Sequence, residues 1–535
     1  MSVRSPCGAI SGQAGRGFVR FLGIPFAAPP VGQLRFGRPK PHPEWKGTFE
    51  AHRFGPVAPQ LPQPFGGLDQ LLGTTRGPRW DEGRCLTLNV WTPGADGKAR
   101  PVMVWIHGGG FNAGASSTPW YDGSRFATDC DVVLVSINYR LGSLGFCYLG
   151  ELGVQDAASS GCLGILDQVE ALRWVRNNIA SFGGDPQNVT VFGESAGAMS
   201  VATLLGLKEA KGLFHKAILQ SGAAANLHTR SRAALLAKEL LELLGLKPGP
   251  ELSDSLRKVP TSAILEAQGS LAGRHRREGL TFQPVVDGTT LSKPPLASIA
   301  QGAAADVPIL IGTNLEEWKL FSVADPRAAT MSLKELEARL AALWVPYPGA
   351  ATDLDPGRGT SWLGEPPFPP DPRRIIEAYD QTLPGASPKA YWEAAMTDLV
   401  FRIPAIRLAE AHSQGGGRSF MYLFTWRSTS FEGALGSCHA VEIPFVFNTL
   451  GRPGTAMFVG DQAPAGLASS MNATWAAFAR HGDPSLGDMG PWPAYEGDRR
   501  ATMVIEASPA VVEDPMGAER RAWDGFAGPV GNALG

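Results

Sequence analysis

In Gly193-Glu194-Ser195-Ala196-Gly197 a serine stands between glycines two positions away on either side. A serine hydroxyl attacks a carbonyl only if a base takes its proton and donors meet the negative charge that develops on the carbonyl oxygen. The chemistry open to Ser195 is therefore acyl transfer. The apolar run Val189–Phe192 before it reads as a buried strand and Ala198–Leu205 after it as a helix, so the serine would occupy a sharp strand-to-helix turn with its hydroxyl exposed. The Ala196 amide would then lie at a helix N-terminus, where unpaired N–H groups and the helix dipole favour negative charge. A glycine-rich turn without function is the bland alternative, and it leaves the flanking strand and helix unexplained.

A second cluster, His107-Gly108-Gly109-Gly110-Phe111, follows the aliphatic run Pro101–Ile106. Three glycines after a buried strand pack poorly unless backbone must come close to something. Amides of Gly109 and Gly110, joined by that of Ala196, would surround an oxyanion. A strand-turn-helix serine of this kind belongs to a chain order of Ser, acid, then His, which makes His107 an orienting residue beneath the loop and looks for the base downstream.

Six of the nine histidines follow Ser195: His215, His228, His275, His412, His439 and His481. His439 comes just after the glycine-containing stretch Glu432–Ser437 and just before the apolar run Ala440–Phe447, and a rigid anchor beside a mobile loop suits a base. The acid must fall between the two. The run Val307–Gly312 delivers Glu316 and Glu317 directly after a strand, and spacing does not separate these neighbours. Asp287, after Gln283–Val286, is another post-strand candidate, although a surface ion pair or a turn is the commoner fate of such acids.

Positioning these groups requires a sheet. Short aliphatic or aromatic runs at Pro101–Ile106, Val132–Asn138, Val189–Phe192, Ala217–Gln220, Val307–Ile311 and Ser419–Trp426 are interspersed with helical patterns, as at Ile165–Ile179 and Arg232–Leu244. That alternation predicts an α/β protein of the α/β-hydrolase fold, with a central, mostly parallel sheet flanked by helices. Loops rich in Pro and Gly at Ala58–Gly83 and Gly349–Arg374 are too long for simple connectors and are expected to form lids or pocket walls; the helix-like Leu333–Leu343 runs up to the second. No linker divides the chain. Residues 1–535 are expected to form one catalytic domain with insertions at about 58–84 and 320–420.

Composition narrows the function classes. Apolar residues at 44% and charged residues at 18% suit a large core and exclude disorder or a coiled coil. A formal net charge of −2 without long Lys/Arg runs argues against nucleic acid as a partner. No apolar run reaches the roughly 20 residues of a membrane-crossing helix. Cys7, Cys85, Cys130, Cys147, Cys162 and Cys438 form no disulfide framework or zinc spacing, so reduced thiols are expected, with neither metal nor cofactor. Met1–Gly8 lacks the apolar stretch of a secretory leader, and the cytoplasm is the expected location.

These segments together resemble the type B carboxylesterase family, which includes bacterial carboxylesterases and the cholinesterases. Phe21–Phe36, Cys85–Trp91, the histidine-glycine run and Asn138-Tyr-Arg-Leu-Gly142 carry the likeness. So does the block from Gly164-Ile-Leu-Asp-Gln168 through Ala171–Val175, Asn178-Ile179 and Phe182–Pro186 to Asn188–Thr190 and the serine turn. The resemblance implies a serine carboxylesterase with Ser195 as nucleophile, His439 as base and an oxyanion hole of Gly109, Gly110 and Ala196. It implies Glu317 as the acid, because Gly312-Thr-Asn-Leu-Glu-Glu317 resembles a family segment ending in Asp-Glu-Gly; Glu316 then takes the aspartate position and Trp318 replaces the usual glycine. Ser221 of Ile218–Gly222 matches the family's serine in a Gln-Ser-Gly segment, which implies a partner of the acid or the histidine, with an ordinary strand-end hydroxyl as the other reading.

Departures from the family pattern are specific. Ala58 stands where secreted relatives place the partner of the cysteine matching Cys85, so that disulfide is expected to be absent. Gly83-Arg84 replaces the family's Glu-Asp, leaving Glu82 as the substitute partner for Arg35. Cys438 beside His439 reads as a buried thiol. The expected substrate is a small or medium apolar ester, with Leu320, Phe321 and the Phe65–Trp80 loop as candidate pocket walls. No secure match to the cholinesterases' aromatic site for a quaternary amine is found, and the resemblance allows a monomer or a homodimer.

Overall fold

The computed structural model describes residues 1–62, 79–154, 156–275, 279–323, 325, 327–343, 371–485 and 489–524. Among them the dominant feature is an eleven-stranded sheet. In chain order its strands are β1 (Gln13–Ala14), β2 (Val19–Pro25), β3 (Thr87–Thr92), β4 (Arg100–Ile106), β5 (Val133–Ile137), β6 (Gly184–Glu194), β7 (Lys216–Gln220), β8 (Ile309–Asn314), β9 (Ser419–Phe424), β10 (Ala501–Ile505) and β11 (Ala510–Glu513). Across the sheet they follow the order β1-β2-β3-β5-β4-β6-β7-β8-β9-β10-β11. The run from β5 to β10 is parallel, while β1, β2 and β3 pair antiparallel at one side and β11 at the other.

Every residue of β4 and β5 is buried, as their mostly apolar sequences require of strands covered on both faces. Alternation sends Val102, Val104 and Ile106 to one core and Met103 and Trp105 to the other. The first core is completed by helices α1 (Leu163–Asn178) and α2 (Ala196–Leu205), the second by a long helix, Ala465–His481, through Met471, Trp475 and Phe478. The expected helices Arg232–Leu244 and Leu333–Leu343 occur as Arg230–Leu243 and Leu333–Ala342. No helix among the described residues is long and apolar enough to cross a membrane.

A buried bidentate pair explains why two of the sequence blocks travel together. Arg140 Nε and Nη2 donate to Asp167 of α1 at 2.8 and 2.7 Å, and the Arg140 amide adds a third bond at 3.0 Å. That pairing satisfies both buried charges and fixes the segment after β5 against α1. Most of the two Pro/Gly-rich loops expected as lids, including Phe65, lies outside the described residues.

Candidate active site

Ser195, Glu317 and His439 follow β6, β8 and β9, parallel strands that sit within one stretch of the sheet and end on the same edge. At the turn between β6 and α2, Ser195 has φ 56° and ψ −125°, a conformation that costs a non-glycine residue about 1–3 kcal/mol and persists only where its surroundings impose it. Its N–H donates to Gln220 O of β7 at 2.9 Å, and its own carbonyl accepts the Met199 N–H at 2.9 Å. A Cβ on Gly197 would lie 2.0 Å from Ile106 O, so this glycine lets α2 approach β4.

The histidine-glycine loop lies against this turn: a Cβ on Gly108 would come within 3.0 Å of Ser195 Cβ. Gly109 has φ 111°, and a Cβ there would meet Ala113 O at 2.2 Å, which confines the position to glycine. The amides of Gly109, Gly110 and Ala196 have no hydrogen-bond acceptor among the described residues. His107 is buried, stacks on Tyr139 with ring centroids 4.6 Å apart, and donates from Nδ1 to Gly108 O at 2.8 Å. Burial pushes its imidazole down to about 4, so it stays neutral and braces the loop.

Glu317 is fully buried; its Oε1 accepts the Asn314 N–H and its Oε2 the His439 Nδ1–H, each at 2.7 Å. The other ring nitrogen, Nε2, faces Glu194 Oε1 at 3.0 Å. Burial alone would lower the His439 pKa; Glu194 and then Glu317 more than reverse this and hold it well above the ordinary histidine value. The rings of Phe401 and Phe321 pack over it at 4.7 and 5.3 Å.

The other candidates separate cleanly. Asp287 Oδ1 accepts the amides of Thr289, Thr290 and Leu291 at 2.8, 2.6 and 3.0 Å, the turn-capping role of the bland reading. Ser221 Oγ is buried and makes no hydrogen bond to Glu317 or His439. Cys438 is buried and its thiol is pushed well up, by burial first and then by Glu317 and Glu442. Leu320 packs into the second core, away from the imidazole that Phe321 touches, and Trp80 is exposed.

The carboxylesterase family model matches residues 1–523. The chain belongs to the carboxylesterase family. The para-nitrobenzyl esterase of Bacillus subtilis (strain 168) is 37% identical to this carboxylesterase over 524 residues, 97% of each chain. Carboxylesterase 1D of Mus musculus is 34% identical over 536 residues, 94% of this chain and 88% of its own. The crystal structure of the Geobacillus stearothermophilus carboxylesterase matches with a TM-score of 0.83 at 39% identity, covering 98% of this chain and 100% of the other. The protein is thus a carboxylic ester hydrolase with the α/β-hydrolase fold.

Three departures from the family pattern resolve in the structure of this carboxylesterase. Glu82 does replace the missing acid: its carboxylate takes Arg35 Nε and Nη2 at 2.6 and 2.5 Å. Arg35 Nη1 also donates to Val259 O at 2.5 Å and Nη2 to Thr261 Oγ1 at 3.0 Å, tying the N-terminal segment to a distant helix pair. All six cysteines are free, Cys85 among them. Trp318 has φ −70° and ψ −14°, ordinary helical backbone, so this turn does not need the family's glycine.

Two carboxylesterase site residues escaped sequence reasoning. Glu194 was legible only as the variable letter of the serine motif, and its contact with His439 depends on the fold. Glu442 is wholly buried, accepting from Gln220 Nε2 at 2.9 Å and Asn314 Nδ2 at 2.6 Å. Burial, then Glu194 and Glu317, push its carboxyl up to about 8. A glutamate inside the apolar run Ala440–Phe447 was the available signal.

Proposed function

We propose that this carboxylesterase cleaves its ester through an acyl-enzyme on Ser195. His439 Nε2 takes the Ser195 proton as Oγ bonds to the carbonyl carbon, and Glu317 holds the imidazole through Nδ1. The tetrahedral oxygen receives the amides of Gly109, Gly110 and Ala196. The alcohol departs with the proton from Nε2, and water then repeats the sequence on the acyl-enzyme, returning Ser195 and releasing the acid. The observation that carries this reading is the 2.7 Å bond between His439 Nδ1 and buried Glu317, beside a strained serine turn. His439 Nε2, the nitrogen opposite the one bonded to Glu317, lies 3.0 Å from Glu194 Oε1 and is the one left to take the Ser195 proton.

The substrate is a small to medium apolar ester. Leu280, whose Cδ2 is 3.2 Å from where a Gly110 Cβ would lie, together with Phe321 and Phe401, supports an apolar lining. Free thiols throughout support a reducing, cytoplasmic location. Residues 1–535 act as a single catalytic unit with insertions at about 58–84 and 320–420, as a monomer or homodimer without nucleic acid.

Hydrolysis of p-nitrophenyl esters from short to long acyl chains, by wild type and Ser195→Ala in parallel, tests the reading. Turnover by wild type alone, strongest on short and medium chains, is expected. Turnover confined to p-nitroanilides or carbamates would move the chemistry to another leaving group.

A further inference from the structure

Glu316 and Glu317 are adjacent, yet they serve different partners. Glu317 turns inward to His439, whereas Glu316 turns toward the loop that delivers that histidine. Glu316 Oε2 accepts the Ser437 N–H at 2.9 Å and Arg427 Nε at 2.9 Å, and Oε1 lies 2.8 Å from Lys319 Nζ. The Glu316 N–H donates in turn to Ser437 O at 2.9 Å. Beyond it, Asn314 Nδ2 donates to Cys438 O at 2.8 Å and the His439 N–H to Glu317 O at 3.2 Å. Three successive residues, Ser437 to His439, are therefore held by the segment Asn314–Glu317 that follows β8.

The histidine loop is otherwise held at Ser437 by its hydroxyl, which donates to Phe424 O at 2.8 Å, and upstream by short-range turns. Phe431 and Glu432 both adopt positive φ, 51° and 56°, and the loop is closed on itself by the Ser428 N–H to Gly436 O bond at 3.0 Å. Gly436 has φ 55°, and a Cβ there would lie 2.3 Å from Glu316 Oε2, so the carboxylate fills the space a side chain would need. Against the opposing effect of burial, Lys319 and the Ser437 amide hold the Glu316 carboxyl below its usual range, so it is ionised where the enzyme works.

We propose that Glu316 is a positioning residue for ester hydrolysis: by clamping Ser437 it sets the place of His439 against Glu317 and thus the reach of the imidazole to Ser195. This inference rests on the reading of Glu317 and His439 as acid and base. Small displacements of a catalytic group cost rate rather than substrate affinity.

The test compares kcat, KM and the pH profile of kcat on p-nitrophenyl acetate for wild type, Glu316→Ala, Glu316→Gln and His439→Ala. Glu316→Ala should lower kcat by about 10-fold or more with KM within about twofold, and move the acid limb to lower pH as the imidazole loses Glu317. Glu316→Gln, which keeps an oxygen for the Ser437 N–H, should recover most of kcat. A folded Glu316→Ala with wild-type kcat and acid limb, beside an inactive His439→Ala, overturns the clamp alone. An active His439→Ala instead overturns the base assignment beneath it. If Glu316→Ala does not fold, Gly436→Ala, which pushes the carboxylate off Ser437, should show the same loss of kcat, and unchanged kcat in that variant overturns the proposal.

Discussion

Glu194 Oε1 lies 3.0 Å from His439 Nε2, the ring nitrogen opposite the one bonded to Glu317. The imidazole is thus held between two carboxylates in a buried site, and its protonated form is favoured over the neutral form a base needs.

Because the His439 pKa is raised well above 6.5, the acid limb of kcat/KM should lie above that ordinary histidine value, with activity still climbing through neutral pH. Removing the Glu194 charge removes support for the imidazolium, so Glu194→Gln should move the limb to lower pH. A limb that stays in place in Glu194→Gln would mean that the two groups are not coupled.

Glu442 gives a stability prediction of definite sign. Its carboxyl is raised from 4.5 to about 8, so between those values the folded state keeps a proton that the unfolded chain releases. The stabilising contribution is full below about 4.5, declines as pH rises, and is lost once pH passes the folded value near 8. Glu442→Gln cannot titrate. Its thermal stability relative to wild type should therefore improve steadily from pH 5 to pH 8, by an amount on the order of a few kcal/mol. Parallel melting curves at all pH values would contradict this ionisation.

The Arg35–Glu82 pair predicts a loss of another kind. The two side chains are only 9% and 7% exposed, so Glu82→Ala strands a buried guanidinium. We expect a loss of about 3–5 kcal/mol in urea unfolding, against a smaller loss for Glu82→Gln. A shift under about 1 kcal/mol would place Arg35 in effective contact with water.

What the sequence made legible was local. β4, β5 and β7 and the Ser195 turn announce themselves through mostly apolar runs and paired glycines, because both strand covering and the elbow leave marks in contiguous residues. β10 and the helix Ala465–His481 were missed: the first is short and mixed, and the second is built largely from small residues with weak periodicity. The contacts of Glu194 with His439, and of Glu442 with Gln220 and Asn314, join residues far apart in the chain and leave no local trace. Glu316 and Glu317 show the same limit, since neighbours in sequence acquire opposite directions only from what packs around them. For Ser221, the resemblance implied a partner in the acid or the histidine, whereas its hydroxyl is buried without a hydrogen bond.

Covalent acyl transfer to Ser195 is tested by acid-quenching the enzyme during turnover of p-nitrophenyl acetate, followed by peptide mass spectrometry. An acetyl group is expected on the peptide containing Ser195 in wild type, and neither adduct nor turnover in folded Ser195→Ala. Full ester turnover by Ser195→Ala would contradict it.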